Sequence, residues 1–428
     1  MSWTLEQAEA YLRSLELFGM RFGLDRIRRL LTALGSPQQR FRAVHVVGSN
    51  GKSSTTRFIA ALLEAHGLKA GTYLSPHLYS YTERVLVGGL PIAPERLAAA
   101  IERAAHASEQ VNRTLRGDDH VTQFELLTAA SFYALAEAGV EVAAIEAGLG
   151  GRYDATNVLA APVCVLTNVS LEHTRWLGPT VAAIAREKLA VVPAGGQLVL
   201  GPEPHPDVLA LAQALAREQG VVVEVTAPPE AAGPWRDLPP FQRHNLATAE
   251  LATRLFLEGL GVPFSPDAVV ALLERAEVAG RFHVVGDDPL VLFDGAHNPA
   301  AAKALAQALQ ERFGSRPHGL VLGVLEDKDA AGILAELLPG AARAWFTAPP
   351  GRRALPAATL QALAEQQGFS AGETVPNPHD ALAAARAWAA AEGDTDPYLL
   401  VTGSIYLLGE LLEATVSPAS EERRGGQR

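Results

Sequence analysis

The chain has 428 residues, of which 48% are hydrophobic and 19% are charged, and its formal net charge is −11. This length predicts about two or three domains with substantial cores. The negative charge disfavours a nucleic-acid-binding surface, which needs a basic face to neutralise phosphates. No apolar run reaches the roughly 18 residues that cross a bilayer, and no basic–apolar–small signal pattern is present, so we expect a cytoplasmic protein without a membrane partner.

Apolar runs typical of β-strands alternate with helical segments rich in Ala and Leu, which is the pattern of a parallel α/β sheet. A segment rich in Pro and Gly at 227–240 precedes a predicted helix at about 245–258, and the strand pattern restarts near 279. The single cysteine, Cys164, is predicted to be a small buried strand residue. The predicted strands are Ala43–Val47, Lys69–Leu74, Val142–Glu146, Val163–Val169, Gln197–Leu200, Val221–Val225, Leu290–Phe293, Leu320–Leu325, Ala344–Thr347 and Tyr398–Val401.

The run AVHVVGSNGKSST, residues 43–55, joins an apolar strand to a Gly-rich turn, a lysine and hydroxyls that open a helix. Backbone N–H groups in such a turn surround phosphate oxygens, and the helix N-terminus favours the anion. Lys52 can reach the β- and γ-phosphates, and the hydroxyl of Ser53 or Ser54 can ligate Mg²⁺. The alternative is a chance Gly-Lys-Ser turn. The strand–loop–helix context favours a site for a nucleoside triphosphate.

These elements together predict an α/β protein of two domains. We expect a P-loop-type, mostly parallel sheet domain at residues 1–279, followed by a smaller Rossmann-like α/β domain at 280–416. The polar tail at 417–428 is predicted to be flexible.

Four consecutive predicted strands of the first domain end in side chains that suit a metal–phosphate group. The first strand leads into Lys52 and the second into Ser75. The third ends at Glu146, and the fourth leads to Glu172 and His173. Ligands of open parallel sheets bind beyond the carboxyl ends of the strands, and oxygen ligands with an imidazole suit Mg²⁺ or Mn²⁺. Taken singly, the carboxylates could be solvated groups and the histidine a structural one.

Lys188, in the segment AREKLAVV, has two interpretations. Its surroundings in the sequence suit a solvated surface lysine. Beside a Mg²⁺ site, it could instead have a lowered pKa and react with CO₂ to become an anionic carbamate.

The run DGAHNP, residues 294–299, follows a predicted strand and opens a helix. Asp294 or Asn298 could simply cap that helix, or the acidic group and the imidazole could contact a ribose or a second substrate. The run GLGGR at 148–152 lacks the G-x-G-x-x-G spacing, so a dinucleotide site is not predicted there.

The ordered motifs resemble the folylpolyglutamate synthase/dihydrofolate synthase family of the Mur ligase superfamily, over about Tyr11 to Leu412. Ser53 follows the loop lysine as in the murein ligases, where most folate members have Gly, and Glu172 stands where that family usually has Asp. SPHL, DATN and AHNP favour the folate enzymes over the murein peptide ligases. The motifs are GSNGKSS, YLSPHL, TQFE, IEAGLGGRYDATN, TNVSLEHTRWLG, REK, HN, GRF and DGAHNP.

The resemblance implies a Mur-ligase-type ATP-binding central domain at 1–279 and a glutamate ligase domain at 280–416. It implies ATP-dependent addition of L-glutamate to a folate or dihydropteroate through an acyl phosphate, with two Mg²⁺ ions and a carbamylated Lys188. From its Gly and Pro residues, we expect the segment 73–94 to form a mobile lid near the folate. We expect a monomer. The implied site residues are Asn50, Gly51, Lys52, Ser53, Ser54, Asn245, Arg281 and Asp294 for ATP; Ser75, Glu146 and His173 for the metal; Thr122, Gln123, Phe124, Glu125, Tyr153, Asp154 and Ala155 for the folate; and Lys52, Lys188 and His297 for catalysis.

Two alternatives remain open from the sequence. One is another Mur-type amino-acid ligase, such as a murein peptide ligase. The other is a nucleotide-driven switch that performs no ligation, because the fold alone does not determine the chemistry.

Overall fold

The chain divides into two compact units, each with its own β-sheet and apolar core. No helix in the described part of the chain is both long and apolar enough to span a bilayer. The tail predicted at 417–428 lies outside the described residues. The computed structural model describes residues 2–15, 22–229, 235–273, 278–392 and 396–416. The first unit is formed by residues 1–237 and 242–276, and the second by 238–241 and 277–428.

The first unit is built around a sheet in which eight strands are described. They are β1 (Arg42–Val47), β2 (Ala70–Tyr73), β3 (Val85–Val87), β4 (Leu90–Pro91), β5 (Val142–Glu146), β6 (Val163–Leu166), β7 (Gln197–Leu200) and β8 (Val222–Val225). Their order is β4-β3-β2-β5-β1-β6-β7-β8. The pairs from β2 across to β8 are parallel, whereas β3 runs antiparallel to β2 and β4 antiparallel to β3. The prediction of a mostly parallel sheet is therefore confirmed.

The central position of β1 brings several strand ends level with one another. β1 pairs with β5 on one side and with β6 on the other, and the register sets Val46 opposite Glu146 and Val47 opposite Leu166. These strands are apolar almost throughout because a parallel sheet is covered on both faces. Cys164 in β6 is buried, as predicted. The loops that follow β1, β5 and β6 consequently start from one edge of the sheet.

Helices surround this sheet, and α3 begins at Lys52, directly after the Gly-rich turn. Its buried Phe58, Ile59, Leu62 and Leu63 form one apolar face, which packs on β1, β2 and β5. The helices of the first unit are α1 (Leu5–Ser14), α2 (Asp25–Ala33), α3 (Lys52–Ala65), α4 (Pro94–Asn112), α5 (Gln123–Glu137), α6 (Thr174–Leu177), α7 (Val181–Leu189), α8 (Pro206–Gln219), α9 (Pro240–Glu258) and α10 (Asp267–Leu273).

The segment 73–94, expected to form a mobile lid, contributes instead to the sheet edge. A 3₁₀ helix at Tyr81–Arg84 leads into β3, and β3 and β4 form a hairpin around Gly88 and Gly89, whose φ angles are +62° and +71°. Hydrogen bonds to β2 restrain this hairpin. The part of the segment without regular structure before the 3₁₀ helix is 74–80.

The second unit contains a sheet of six described strands in the order β13-β12-β11-β14-β10-β9. All of its pairs are parallel except that between β9 and β10. This smaller α/β unit agrees with the fold predicted for the C-terminal part. Its strands are β9 (His283–Asp287), β10 (Leu290–Phe293), β11 (His318–Leu322), β12 (Ala341–Phe346), β13 (Gly372–Thr374) and β14 (Tyr398–Thr402). Its helices are α11 (Pro299–Phe313), α12 (Ala330–Leu337), α13 (Ala357–Gln366), α14 (Pro378–Ala391) and α15 (Ile405–Val416).

Candidate active site

The loop between β1 and α3 contains two glycines that the backbone requires. The φ angle is +153° at Gly48 and +82° at Gly51. A Cβ atom on Gly48 would lie 1.9 Å from Thr167 Oγ1, and one on Gly51 would lie 2.2 Å from Asn245 Oδ1. No side chain fits at either position. Asn245 of α9, predicted from sequence to contact ATP, therefore lies directly against the loop.

Polar residues after β6 hold this loop in place. Asn168 Oδ1 accepts a hydrogen bond from the backbone N–H of Asn50 at 3.0 Å, and Asn168 Nδ2 donates to the Asn50 carbonyl at 3.1 Å. Thr167 Oγ1 donates to the same carbonyl at 2.7 Å. Ser49 Oγ accepts from the backbone N–H of Ser170 at 3.0 Å. The conformation of the loop is thus fixed by the neighbouring strand end, as a preorganised anion site requires.

The two candidate Mg²⁺ ligands at the start of α3, the hydroxyls of Ser53 and Ser54, have different surroundings. Lys52 Nζ donates to the Ser49 carbonyl at 3.2 Å, which places the amine over the loop. Ser53 Oγ donates to Glu146 Oε1 at 3.0 Å, whereas Ser54 is buried in the packed face of the helix. Of the two hydroxyls, that of Ser53 contacts the acidic group at the end of β5.

Glu146 joins three strand ends at a single carboxylate. It is buried at the end of β5, and its Oε2 accepts from the backbone N–H of Ser75, after β2, at 3.2 Å. Arg84 Nη1 donates to Ser75 Oγ at 3.4 Å, and Arg84 Nε donates to His77 Nδ1 at 2.8 Å. The contact of Arg84 with Ser75 was not predicted from the sequence, because Arg84 belongs to the segment expected to form a lid.

Lys188 is 2% exposed, so the interpretation as a solvated lysine is wrong. Its Nζ donates to the Gly48 carbonyl at 2.7 Å and to Glu172 Oε1 at 2.9 Å. Burial lowers the pKa of Lys188, and this effect outweighs the charge of Glu172, which acts to raise that pKa. Burial alone would raise the pKa of Glu172, but the charges of Lys188 and Lys52 outweigh it and lower that pKa to about 2.

The predicted metal ligands supply one hydroxyl, one carboxylate and one imidazole. His173 follows Glu172, has a φ of +46° and forms the N-cap of α6. Among the described residues, no group of three or more His, Cys, Asp or Glu side chains is arranged to hold a metal. The donor chemistry of Ser75, Glu146 and His173 fits a hard cation such as Mg²⁺ whose coordination is completed by phosphate oxygens and water.

The run GLGGR serves close packing. A Cβ atom on Gly151 would lie 2.6 Å from the Glu187 carbonyl oxygen and 2.7 Å from that of Lys188. The backbone N–H of Arg152 donates to the Glu187 carbonyl at 2.8 Å. The glycine therefore allows this loop to pack closely against the backbone of α7 at Lys188.

Two of the predicted folate residues organise the start of α5. Thr122 and Glu125 form a capping box, in which each side chain bonds to the backbone of the other. Glu125 is buried and accepts from Arg26 Nε at 3.1 Å, and Arg26 also pairs with Asp119 at 3.2 Å. This ion pair, which joins residues 99 positions apart, has no signal in the sequence pattern.

Gln123 and Phe124, which lie between Thr122 and Glu125, contact other parts of the first unit. Gln123 Nε2 donates to the Tyr81 hydroxyl at 3.3 Å. A Cβ atom on Gly148 would lie 2.5 Å from the ring of Phe124, so the ring lies against the start of the GLGGR run.

Asp154 and Ala155 are buried, whereas Tyr153 is 48% exposed. The ring of Phe22, which is 53% exposed, lies 5.6 Å from that of Tyr153 and 5.9 Å from that of Trp176, which is 40% exposed. We call these three rings the aromatic patch. Phe22 and Trp176 were not selected from the sequence, because their proximity to Tyr153 depends on the fold.

In the second unit, Asp294 follows β10 and is buried. Its Oδ2 accepts from the backbone N–H of Phe282 at 2.8 Å and its Oδ1 from that of Ala296 at 2.9 Å. Burial raises the pKa of Asp294, and the charge of Arg281 opposes that rise. The helix is capped instead by Asn298, which accepts from the N–H of Ala301 at 2.9 Å.

His297 lies in the same turn, at the start of α11. Its Nδ1 is 2.9 Å from the Gly295 carbonyl oxygen. Because a carbonyl only accepts, Nδ1 carries a proton and donates to Gly295.

Residues 280–405 match the family model described as Mur ligase, glutamate ligase domain. The chain is 35% identical to the dihydrofolate synthase/folylpolyglutamate synthase of Escherichia coli, covering 94% of each chain. It is similar to Mycobacterium tuberculosis folylpolyglutamate synthase complexed with ADP, with a TM-score of 0.87, 32% identity and coverage of 96% and 98%. The Yersinia pestis bifunctional enzyme complexed with AMPPNP and a Mn ion has a TM-score of 0.79, 26% identity and coverage of 96% and 98%.

These similarities extend over nearly the whole chain and include both units. They agree with the motif order found in the sequence and with a phosphate loop beside a buried carboxylate. The chain therefore belongs to the folylpolyglutamate synthase/dihydrofolate synthase family of ATP-dependent ligases.

Proposed function

We propose that this chain joins L-glutamate to a folate with cleavage of ATP, through an acyl phosphate on the folate carboxylate. The observation that carries the proposal is the position of Glu146, which accepts hydrogen bonds from Ser53 in α3 and from Ser75 after β2. The start of α3, directly after the loop, and the candidate ligand Ser75 therefore meet at one carboxylate. Identity of 35% to the E. coli enzyme over 94% of both chains supports the same class of reaction.

The triphosphate would lie on the loop between β1 and α3. Backbone N–H groups of Asn50, Gly51 and the first turn of α3 would bind phosphate oxygens, and Lys52 would neutralise the γ-phosphoryl charge. Ser54, whose side chain is buried, would contribute through its backbone N–H. Asn245 lies against Gly51 and would contact the nucleotide beyond the loop.

We assign Ser75, Glu146 and His173 to the divalent cation. Their oxygen and imidazole donors fit Mg²⁺, and the Mn ion in the Yersinia pestis structure supports a divalent metal in this family. When bound, Mg²⁺ neutralises charge on the phosphates. Ser53, which donates to the same carboxylate as Ser75, would orient that carboxylate.

Lys188 is the residue that would carry a carbamate. In that reaction the neutral amine forms an N–C bond with CO₂ and loses one proton, giving an anion. Burial lowers the pKa of Lys188, which favours the neutral amine that reacts. The contact of Nζ with Glu172 at 2.9 Å must be given up, because the carbamate would be an anion beside a carboxylate.

The second unit would bind the incoming glutamate and part of the nucleotide. Arg281, Asp294 and His297 lie at one strand end, where ligands of open α/β sheets bind. His297, whose Nδ1 donates to the Gly295 carbonyl, is the catalytic candidate on the glutamate side. Water must be excluded during the reaction, because an acyl phosphate is hydrolysed in open solvent.

The folate would lie along residues 122–125 and 153–155. Tyr153 belongs to the aromatic patch. Exposed rings whose centroids lie 5.6 and 5.9 Å apart suit stacking on a planar heteroaromatic ligand. Phe22 and Trp176 would extend that surface. Gln123 and Phe124 lie at the start of α5, beside Tyr81 and the GLGGR run respectively.

The reaction then has two steps. A folate carboxylate oxygen forms a bond to the γ-phosphorus as the bond to ADP breaks, and Lys52 stabilises charge on the transferred group. The glutamate nitrogen, after losing a proton, then forms a bond to the acyl carbon as the carbon–oxygen bond to phosphate breaks. Neither step needs a protein nucleophile.

The test is product analysis with separate substrates. The chain is incubated with Mg²⁺, ATP and glutamate plus dihydropteroate, tetrahydrofolate, a UDP-sugar peptide or no acceptor, and the products are identified by mass spectrometry. Addition of one glutamyl group to either folate supports the proposal and tells which reaction the chain performs. Addition to neither folate, with a UDP-sugar peptide accepted instead, would assign it to the murein type.

A further inference from the structure

A buried histidine in β1 plays no part in the reaction described above. His45 is 1% exposed and lies three residues before Gly48, among Val44, Val46 and Val47. Burial lowers its pKa to about 4, so the ring is neutral at physiological pH. A buried polar ring in an apolar strand is costly unless it is hydrogen-bonded, and His45 has such a partner. Its Nε2 is 2.8 Å from Thr156 Oγ1.

Thr156 passes this contact on to Asp154. Its hydroxyl and its backbone N–H both donate to Asp154 Oδ1, and Asp154 Oδ2 accepts from the backbone N–H of Leu149 at 2.8 Å. With its hydrogen donated to the carboxylate, the Thr156 oxygen has a lone pair for the Nε2–H of His45. We call His45, Thr156 and Asp154 the buried relay.

The buried relay connects β1 to a single loop by hydrogen bonds, and that loop contacts two parts of the candidate site. The loop, residues 147–157, packs through Gly151 on the backbone of Lys188. It also presents Tyr153 to the aromatic patch. His45 lies in β1, and β1 continues directly into the phosphate loop. Hydrogen bonds of this kind fix a loop that must hold substrate in a defined place.

We infer that His45 and Thr156 are positioning residues for the folate, because they fix residues 153–155 relative to the strand that enters the phosphate loop. This inference rests on the proposed function. Loss of the buried relay should loosen the folate side of the loop. It should leave the phosphate loop intact, because Asn168 and Thr167 hold that loop independently.

The experiment compares Thr156→Val with Thr156→Ser. Valine keeps the shape and removes the hydroxyl, whereas serine keeps the hydroxyl. We expect Thr156→Val to raise the KM for the folate about five-fold or more, with the KM for ATP changed less than about two-fold. Thr156→Ser should restore the folate KM. The matched control is Thr253→Val, which removes a buried hydroxyl bonded only within α9, to the Ala249 carbonyl.

The same comparison is made from the other end of the buried relay. His45→Gln keeps an N–H donor in place of Nε2, and His45→Leu removes it, so failure of one variant to fold does not remove the test. Thermal unfolding identifies the folded variants. A folded Thr156→Val with a wild-type folate KM would overturn the inference, as would equal rises in both KM values or no rescue by serine. If the wild-type chain releases no ADP in response to folate and glutamate, the proposed function fails instead.

Discussion

Ser53 Oγ donates a hydrogen bond to Glu146 Oε1 over 3.0 Å, although 93 positions separate the two residues in the chain. The contact exists because β1 and β5 are adjacent parallel strands that end level with one another. It brings the start of α3 and the end of β5 to one point. The first prediction concerns that carboxylate.

Glu146→Gln should lower kcat on the order of 100-fold and raise the Mg²⁺ concentration needed for half-maximal rate, because the charge is lost while the shape is kept. The measurement is a Mg²⁺ titration of initial rate. Glu137→Gln, at an exposed residue that pairs with Arg40, is the matched control and should behave as wild type. An unchanged Mg²⁺ requirement in Glu146→Gln would remove Glu146 from the metal site.

Lys52→Ala should reduce kcat by two to three orders of magnitude, because about 3–4 kcal/mol of transition-state charge stabilisation is lost. Lys52 also lowers the pKa of the buried Glu172, so thermal unfolding is measured beside kcat to show that the variant is folded. Lys303→Ala, at an exposed lysine of α11, serves as the control. Near-normal ligation by Lys52→Ala would mean that the phosphate-loop assignment is wrong.

Lys188→Ala should abolish ligation, and small carboxylic acids should restore part of it, because they can replace a carbamate. A ¹³C spectrum of the wild-type chain in labelled bicarbonate should show a carbamate signal that Lys188→Ala lacks. Activity in the alanine variant without added acid would contradict this role. A missing carbamate signal would leave Lys188 as the ammonium partner of Glu172 and Gly48.

When Lys188 is not carbamylated, as in acid, where carbamates decompose, the stability of the chain should depend on Glu172. Its pKa is lowered from an ordinary value near 4.5 to about 2, because the charges of Lys188 and Lys52 outweigh burial. A lowered carboxyl pKa stabilises the folded state above the ordinary value, and this contribution is lost as the pH falls from about 4.5 to 2. Glu172→Gln should flatten that part of the curve of unfolding free energy against pH. An equally steep curve would contradict the lowered pKa.

Arg26→Ala should destabilise the first unit by roughly 3–5 kcal/mol, because it leaves the buried Glu125 carboxylate without its partner. Urea unfolding measures the change. Arg40→Ala breaks an exposed pair with Glu137 and should cost less than about 1 kcal/mol. A similar small loss in Arg26→Ala would show that Glu125 is compensated by other groups.

The strand ends that form the site were predictable because their signals are local. An apolar run followed by glycine, or by a single charged residue, marks where a buried strand leaves the sheet, and Glu146 and Lys52 both follow such runs. Parallel order then places them at one edge. The position of Lys188 was not predictable, because its burial depends on Gly151 allowing the 147–157 loop to approach α7.

Other features depend on contacts that only the folded chain makes. Arg26 and Glu125 pair across 99 positions, and the rings of Phe22, Tyr153 and Trp176 come from three separate segments. The sequence predicts a lid over 73–94 because Gly and Pro interrupt that segment, whereas the structure forms a hairpin of β3 and β4 within it. Its place in the sheet comes from pairing with β2, which the local sequence does not encode.

The most direct test of the account follows one oxygen atom. Folate labelled with ¹⁸O in its reacting carboxylate is incubated with ATP, Mg²⁺ and glutamate, and the released inorganic phosphate is analysed by mass spectrometry. Transfer through an acyl phosphate predicts one ¹⁸O atom in the phosphate and ADP release only when folate and glutamate are both present. Unlabelled phosphate, or ADP release that needs neither substrate, would contradict the account.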